Sequence, residues 1–321
     1  MKAVFIEQPG DAGALRYADF PKPDLAPGQA LVKLAAAGVN FIDTYHRSGL
    51  YKIPLPAVLG MEGAGTVESL GPDTTGFKVG DHVAWAMSRG SYAEFAAVPA
   101  QFLVKVPAAL DLRQAAAAML QGMTAHYLTH STFPIEPGHI ALVHAAAGGT
   151  GRLISQMVKL RGGRVIGTAG TREKAEVARA AGADEVILYR EQDLVAEVKR
   201  FTDGKGVDVV YDGVGEATFM QSLDSLKPRG MMALFGQSSG PVKAFDPLLL
   251  MTKGALFLTR PTLANYASPD ELKWRSGDVL GWILSKKLQL LTEHFYPLAE
   301  AAQAHRDLES RGTMGKLVLT I

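Results

Sequence analysis

The composition of the chain excludes several classes of protein. Of its 321 residues, 47% are hydrophobic and 20% are charged, with a formal net charge of +1, which is typical of a globular chain and indicates no nucleic-acid or membrane-surface binder. There is no cysteine, so disulfides, thiolate zinc sites, iron–sulfur clusters and cysteine nucleophiles are excluded. Neither a signal-like apolar segment near residue 1 nor an apolar run of ~18 residues is present. We therefore expect a cytoplasmic protein.

The first part of the chain, to about residue 120, has the pattern of a β-rich domain. Short apolar runs of strand length alternate with turns that contain proline and glycine. The clearest runs are Ala3–Ile6, Ala30–Ala37, Gly63–Leu70 and Asp81–Ala86. Many short strands with turn signals between them predict a compact, partly open β-barrel-type domain.

From about residue 121 the pattern alternates between strands and helices. Helices are predicted after Gly151 and over Glu173–Ala181, where Gly182 ends the second. Strands with crossover helices predict an α/β, doubly wound parallel sheet. The predicted strands are Ile140–Ala145, Arg164–Thr168, Glu185–Tyr189, Val207–Tyr211, Met231–Phe235 and Leu256–Thr259.

The alternation ends after Pro261. Helices are predicted over Asp270–Lys287 and Ala299–Arg311, followed by a strand over Leu317–Ile321. We interpret this tail as a return that completes the first domain. The predicted domains are therefore 121–261 for the doubly wound part, and 1–120 with 262–321 for a split β-rich part.

The strongest chemical signal is a glycine-rich turn between the first strand of the doubly wound part and its first helix. Gly148 and Gly151 take the second and third glycine positions of a G-x-G-x-x-G fingerprint, and Ala146 stands at the first. Gly148 lets the backbone approach a diphosphate, and Gly151 lets helix and strand pack closely. The free N–H groups at the helix start attract the diphosphate. The motif therefore predicts a dinucleotide site.

The end of the next strand separates NAD from NADP. An NAD site usually carries an acid there for the ribose 2′-hydroxyl, but this chain has Gly170. Arg172 and Lys174 follow within one turn, and cations at this place suit a 2′-phosphate. The alternative is that both are solvated surface charges. The local chemistry favours NADPH.

Several long motifs, in order along the whole chain, resemble the quinone oxidoreductase (zeta-crystallin-like) branch of the medium-chain dehydrogenase/reductase superfamily. They are Gly38–Tyr45, Arg47–Tyr51, Gly122–Ala125, Ala146–Gly151, Val210–Gly215, Phe235–Gly240 and Thr259–Pro261. The resemblance implies a GroES-like catalytic domain, a Rossmann domain and a homodimer joined through Rossmann edge strands. It also implies NADPH-dependent reduction of quinones, by transfer of a hydride or of single electrons.

The resemblance further implies which residues hold NADPH. The implied contacts are Asn40, Thr124, Gly148, Gly149, Thr150, Gly151, Lys174, Tyr189, Phe235, Ser238 and Arg311. The predicted set also includes Ala147, Gly236 and Arg260 within the matching motifs, and Gly170 and Thr171 at the end of the second strand of the doubly wound part.

Zinc alcohol dehydrogenases share this architecture, but their metal chemistry does not carry over. Their catalytic zinc needs a Gly-His-Glu triplet, a cysteine and a further cysteine or acid. This chain has Gly60-Met61-Glu62 at the triplet and no cysteine. We therefore expect no metal site.

Conjugated acceptors take a hydride without metal polarisation, so the protein needs to supply orientation, a dry pocket and one donor near the developing oxyanion. The candidates for this pocket are Asn40, Tyr45 and Tyr51. The alternatives are that Asn40 caps a turn and that the tyrosines only pack. Asp43 relays protons in one interpretation and stabilises a helix N-terminus in the other.

Rival functions start from other features of the sequence. Gly236–Gly240 fits the G-x-S-x-G pattern of hydrolases, but Pro241 follows where a nucleophile elbow needs a helix. His126 and His130 have helical i, i+4 spacing, yet the glutamate of H-E-x-x-H is absent. Two further alternatives stay open: a reductase of enone or alkenal double bonds, and a non-catalytic NADPH-binding protein.

Overall fold

A computed structural model describes residues 1–292 and 294–321 of the chain. The chain forms two compact units, Met1–Met123 with Ala267–Ile321, and Thr124–Tyr266. Both boundaries fall a few residues later than the predicted domain bounds. The first boundary lies inside the continuous helix Leu112–Tyr127. The part of this helix that includes Gln121 and Gly122 belongs to the first unit, because these residues contact Asn40 and Val279.

The N-terminal part of the chain is mostly strands, and strands alternate with helices from β9 onward. In chain order the strands are β1 (Lys2–Ile6), β2 (Arg16–Asp19), β3 (Gln29–Val39), β4 (Ala57–Val58), β5 (Glu62–Leu70), β6 (His82–Ala86), β7 (Phe95–Pro99), β8 (Leu103–Lys105), β9 (Ile140–Val143), β10 (Arg164–Ala169), β11 (Glu185–Leu188), β12 (Val207–Asp212), β13 (Leu226–Leu234), β14 (Phe257–Thr259), β15 (His294–Pro297) and β16 (Leu317–Thr320).

Most of the helices in the described part of the chain follow β9. They are α1 (Phe41–Ser48), α2 (Leu112–Tyr127), α3 (Gly149–Leu160), α4 (Arg172–Ala180), α5 (Leu194–Phe201), α6 (Phe219–Ser225), α7 (Leu248–Thr252), α8 (Pro269–Leu284) and α9 (Ala301–Ser310). Leu128–Thr132 continues α2 as a wider π-helical turn. Among the described residues, none of these helices combines the length and apolar character needed to cross a membrane.

The first unit is built around the long strand β3. β3 pairs with β5, β7 and β16, all antiparallel, so it joins the N-terminal strands to the C-terminal one. The larger sheet runs in the order β15-β16-β3-β5-β6-β8, and β1 forms a smaller sheet with β2 and β4. Buried side chains such as Trp85, Tyr92 and Leu317 fill the core beneath β3. β16, near the C-terminal end of the chain, adds a strand to the larger sheet beside β3.

The second unit has the predicted parallel sheet. Its strand order is β11-β10-β9-β12-β13-β14, and every neighbouring pair is parallel. β12 is buried along its whole length, as expected for a strand covered on both faces. Because the strands are parallel, the turns after β9, β10, β12 and β13 lie at one edge of the sheet, which is where ligands bind in such folds.

Candidate functional site

The turn between β9 and α3 has the geometry of a phosphate cradle. Gly148 caps the helix in extended conformation, and its N–H donates to the Ala145 carbonyl oxygen at 2.8 Å. A Cβ on Gly151 would lie only 3.1 Å from the Ala146 α-carbon and closer still to the Ala145 carbonyl, so only glycine lets α3 approach the strand. The first amides of a 12-residue helix have no intrahelical acceptor and attract an anion.

The turn after β10 carries the groups predicted to select the 2′-phosphate. A Cβ on Gly170 would lie 2.6 Å from the Tyr189 hydroxyl and 3.5 Å from Nε of Arg190, so these two polar side chains converge over a position that has room for no acid. Thr171 caps α4 by accepting the Lys174 N–H at 3.3 Å. Burial lowers the pKa of Lys174, and the charge of Arg190 lowers it further.

The sequence predicts Arg172, and not Arg190, as a cation for the 2′-phosphate. The structure places Arg172 beside Glu191, with its Nη2 3.4 Å from a carboxylate oxygen. Arg190 directly follows Tyr189 at the end of β11, which pairs with β10. The signal that could have found it is therefore the end of the neighbouring parallel strand, since the ends of adjacent strands meet at one edge.

The turns after β12 and β13 interlock. The backbone N–H of Ser238 donates to the Gly213 carbonyl at 3.2 Å, and a Cβ on Gly236 would lie 2.6 Å from the same oxygen. The Phe235 ring lies against Gly213. The predicted cofactor residues Phe235, Gly236 and Ser238 are thus brought together at the sheet edge with the glycine-rich turn.

Two further cofactor candidates of this unit lie apart from those turns in the chain. Thr124 is 9% exposed at the start of the unit. Arg260 is exposed and directly follows β14. In the first unit, Arg311 ends α9 in left-handed conformation, with φ 59°.

In the first unit, Asn40 is the centre of a buried polar network. Its Nδ2 donates to Glu62 Oε2 at 2.8 Å and to the Gly38 carbonyl at 3.4 Å. Its Oδ1 accepts from Lys316 Nζ at 2.7 Å and from Gln121 Nε2 at 3.3 Å. Both amide hydrogens and both acceptor positions of Asn40 are therefore engaged within the unit.

Lys316 and Glu62 form the charged core of this network. Their side chains are 2% and 0% exposed, and Nζ lies 2.5 Å from Oε2. Glu62 Oε1 also accepts the N–H of Leu120 at 2.6 Å. Burial lowers the pKa of Lys316, while the Glu62 carboxylate opposes that shift. Neither residue is predicted as a site member from the sequence, because the two are 254 positions apart.

Asp43 lies at the start of α1 and belongs to a second buried network. Its Oδ2 accepts the Asn40 backbone N–H at 2.9 Å and the Tyr92 hydroxyl at 3.1 Å. Tyr92 also contacts His305 Nε2 at 3.1 Å, and Arg47 contacts His305 Nδ1 at 3.1 Å. Burial raises the pKa of Asp43 to about 7 and lowers that of His305 to about 3. Asp43 thus has the contacts of the helix N-terminal role.

The aromatic candidates form one group on and after α1. The rings of Tyr45 and Tyr51 meet edge to face with centroids 5.2 Å apart, and Phe41 lies 6.4 Å from Tyr45. All three side chains are partly exposed. They therefore present an apolar face with two hydroxyls, which suits a flat conjugated molecule.

The features that suggested rival functions have structural explanations. The residues after Ser238 form no helix until Leu248, so the strand-to-helix turn of a nucleophile elbow is missing there. The rings of His126 and His130 stack at 4.0 Å, and His130 Nδ1 lies 3.1 Å from the His126 carbonyl oxygen. Throughout residues 1–292 and 294–321, no three histidine, aspartate or glutamate side chains lie close enough together to hold a metal.

Comparison with known proteins places the whole chain in one group. The model of the alcohol dehydrogenase GroES-like domain matches residues 26–108, and that of the zinc-binding dehydrogenases matches residues 149–268. The chain is 43% identical to a quinone oxidoreductase of Pseudomonas aeruginosa, over 97% of this chain and 96% of that one. It is also 43% identical to a 2-haloacrylate reductase of a Burkholderia species, over 91% of each chain. The crystal structure of Escherichia coli quinone oxidoreductase complexed with NADPH covers all of both chains, with a TM-score of 0.98 and 41% identity.

Proposed function

The chain belongs to the quinone oxidoreductase family of the medium-chain dehydrogenase/reductase superfamily, and on this basis we propose that it is an NADPH:quinone oxidoreductase. NADPH supplies the hydride when bound, and the quinone takes up that hydride and one proton to give the hydroquinone. The residues of the chain bind and orient the two molecules and exclude water.

The observation that carries this proposal is the cradle after β9. The first amides of α3, which have no intrahelical acceptor, would bind the diphosphate, and Gly151 keeps them close to the strand. Gly148, Gly149 and Thr150 line the same turn, with Ala147 before them. A relative that matches this chain over its full length is described in complex with NADPH, which supports the same cofactor here.

The turn after β10 supports selection of the 2′-phosphate. Lys174 and Arg190 supply positive charge, and the Tyr189 hydroxyl adds a donor near Gly170. A charge-assisted hydrogen bond contributes roughly 1.5–3 kcal/mol. Loss of one cation is therefore expected to lower the affinity for NADPH by about 10- to 100-fold. Since NADH lacks the 2′-phosphate, the affinity for NADH should change little in the same variant.

For the acceptor, we propose that Tyr45 and Tyr51 line the quinone pocket and that Asn40 acts by position. The two tyrosines supply apolar ring surface and hydroxyl donors. Asn40 already makes four contacts inside its unit, so its amide holds the start of α1 in place. Asp43 fixes the same helix start through the Asn40 N–H.

Assembly as a homodimer and a cytoplasmic location are part of the proposal. Within the described ranges, β14 pairs with β13 only and lies at the end of the six-stranded sheet. Phe257 on this strand, and Leu248 and Met251 on the preceding helix α7, are 57%, 55% and 63% exposed. An unpaired apolar edge favours pairing with a second copy. Light scattering should therefore give the mass of a dimer, which Phe257→Lys would reduce to that of one chain.

Steady-state kinetics test the activity. NADPH oxidation with 1,4-benzoquinone should exceed that with an α,β-unsaturated ketone or 2-chloroacrylate, and NADPH should be preferred over NADH. Faster turnover of the ketone or the haloacrylate would indicate a double-bond reductase instead. Binding of NADPH without oxidation by any of these acceptors would contradict an enzymatic role.

A further inference from the structure

The carboxyl ends of β9, β10 and β12 are joined by buried polar side chains that the proposed reaction does not use. Asp212, Ser222, His144 and Thr168 are each no more than 4% exposed. Asp212 and Thr168 lie on β12 and β10, His144 directly follows β9, and Ser222 lies on α6. Each lies within hydrogen-bond distance of the next. None of them was a sequence candidate.

The chemistry of the groups fixes the direction of each hydrogen bond. The Ser222 hydroxyl donates to Asp212 Oδ2 at 2.8 Å, so its oxygen is left to accept from His144 Nε2 at 2.9 Å. His144 Nε2 therefore carries the proton, and Nδ1 accepts from the Thr168 hydroxyl at 3.3 Å. Burial lowers the pKa of His144, which favours this neutral form.

The far end of this series is the glycine-rich turn. The Thr168 Oγ1 accepts the backbone N–H of Ala145 at 3.1 Å, and the Thr168 carbonyl accepts that of Ala146 at 3.0 Å. Ala145 has φ 50°, in the left-handed region that alanine rarely adopts. Its carbonyl then accepts the Gly148 N–H at 2.8 Å. The two hydrogen bonds that Thr168 accepts therefore fix the backbone at Ala145 and Ala146, where the glycine-rich turn begins.

At the other end of the series, Asp212 accepts hydrogen bonds from the turns after β12 and β13. Asp212 Oδ1 accepts the N–H groups of Val214 and Gly215, at 2.7 and 3.0 Å. Its backbone carbonyl accepts those of Phe235 and Gly236, at 2.8 and 3.3 Å. Asp212 therefore contacts the turns after β12 and β13 directly, and the turn after β9 through three side chains.

We propose that the directed series Asp212–Ser222–His144–Thr168–Ala145 positions the glycine-rich turn for the cofactor. These are positioning residues, because none of them needs to touch the ligand. The Thr218 hydroxyl also donates to Asp212 Oδ2, at 2.7 Å, so this carboxylate accepts four hydrogen bonds in all. Each bond in the series then sets the orientation of the next. The inference rests on the proposed use of NADPH at this turn.

Two buried serines of α6 provide a matched comparison. Ser222 and Ser225 are both fully buried, and each hydroxyl donates one hydrogen bond, but that of Ser225 goes to the Gln221 carbonyl of the same helix. Ser222→Ala should raise the NADPH Kd about tenfold, whereas Ser225→Ala should change it less than twofold. We expect both variants to lower Tm, because each removes a buried hydrogen bond, so Tm alone does not separate positioning from folding. Equal Kd values for the two variants would overturn the proposal.

A second pair of variants keeps the test independent of how well Ser222→Ala folds. Thr168→Val keeps the shape but removes the hydroxyl and should raise the NADPH Kd about tenfold, while Thr168→Ser should restore it to within twofold of wild type. Failure of the serine variant to differ from the valine variant would contradict the proposal.

The tautomer of His144 tests the direction of the series without reference to NADPH binding. Nitrogen-15 NMR of labelled wild-type protein should show His144 neutral and protonated on Nε2. A proton on Nδ1 would reverse the series and overturn the inference, even in a chain that binds no NADPH. Absence of NADPH binding in the wild type would instead contradict the proposed function.

Discussion

The two units of the chain hold their candidate sites by different means. In the second unit the candidates are turns, in which backbone amides and glycines face the proposed cofactor and each group lies within a few positions of the next. In the first unit the candidates are side chains fixed by contacts across the chain, such as those of Lys316 with Asn40 and Glu62, 276 and 254 positions away. A site made of turns depends on small residues, whereas a site made of buried charges depends on complete pairing.

A site made of turns should lose cofactor affinity when volume is added at the glycine-rich turn. Gly151→Ala places a methyl group against the Ala145 backbone and forces α3 away from the strand. Overpacking of this kind costs ~1–3 kcal/mol, so we expect NADPH affinity to fall by up to about 100-fold. Isothermal calorimetry measures this change.

Gly277→Ala is the control for that variant, since Gly277 lies on an exposed face of α8 with open space around it. It should bind NADPH as the wild type does and gain ~0.5–1 kcal/mol of stability, because alanine favours a helix. Unchanged NADPH affinity in Gly151→Ala would remove the steric argument for the cradle.

In the first unit, loss of a charge should matter more than loss of volume. Lys316→Met leaves the buried Glu62 carboxylate without its cation, and breaking such a pair lowers the free energy of unfolding by ~3–5 kcal/mol. Adding Glu62→Gln should recover part of this loss. Urea denaturation compares these variants with Arg200→Met, which breaks an exposed pair with Glu197 and should cost less than ~1 kcal/mol. Similar losses in both cases would show that the buried network is dispensable.

The pH dependence of stability should identify Asp43 as a buried acid. Burial raises its pKa from 3.8 to about 7, so between these values the folded chain keeps a proton that the unfolded chain releases. The contribution of Asp43 to the free energy of unfolding therefore falls by about 1.4 kcal/mol per pH unit as pH rises through that window.

Asp43→Asn removes this slope, and stability relative to the wild type should increase as pH rises from 4.5 to 6.5. His46 and His305, whose pKa values burial lowers to about 4 and about 3, contribute the opposite slope to both proteins and cancel in the difference. Urea unfolding at several pH values measures it. Parallel profiles for the two proteins would contradict the assignment.

The smallest effect is expected at the proposed quinone pocket. Tyr45→Phe keeps the ring and removes one hydroxyl, which contributes roughly 0.5–1 kcal/mol, so kcat with 1,4-benzoquinone should fall about two- to fivefold while the KM for NADPH stays constant. Tyr17→Phe changes an exposed tyrosine of β2 and should leave kcat unchanged. An unchanged kcat in Tyr45→Phe would assign Tyr45 to packing alone.

The same contrast explains what could be predicted from the sequence. The parallel sheet and the cradle were predicted because their signals are local: strand-length apolar runs and glycines a few residues apart determine the turn after β9. The network around Asn40 was not, since nothing in the residues near Asn40 specifies Lys316 as its partner. Arg190 and the Asp212 series lie between these cases, because they require knowledge of which strand ends become neighbours.

In the proposed function, the second unit binds the diphosphate of NADPH at its glycine-rich turn and selects the 2′-phosphate with nearby cations. Isothermal calorimetry with NADPH and NADH tests it on the wild type, on Lys174→Ala and on Arg179→Ala, a control on α4 whose guanidinium pairs with Glu176. We expect the wild type and the control to bind NADPH at least about tenfold more tightly than NADH. Lys174→Ala should lose most of that preference through weaker NADPH binding alone. Equal affinity of the wild type for the two cofactors, or a preference that Lys174→Ala leaves intact, would contradict the account.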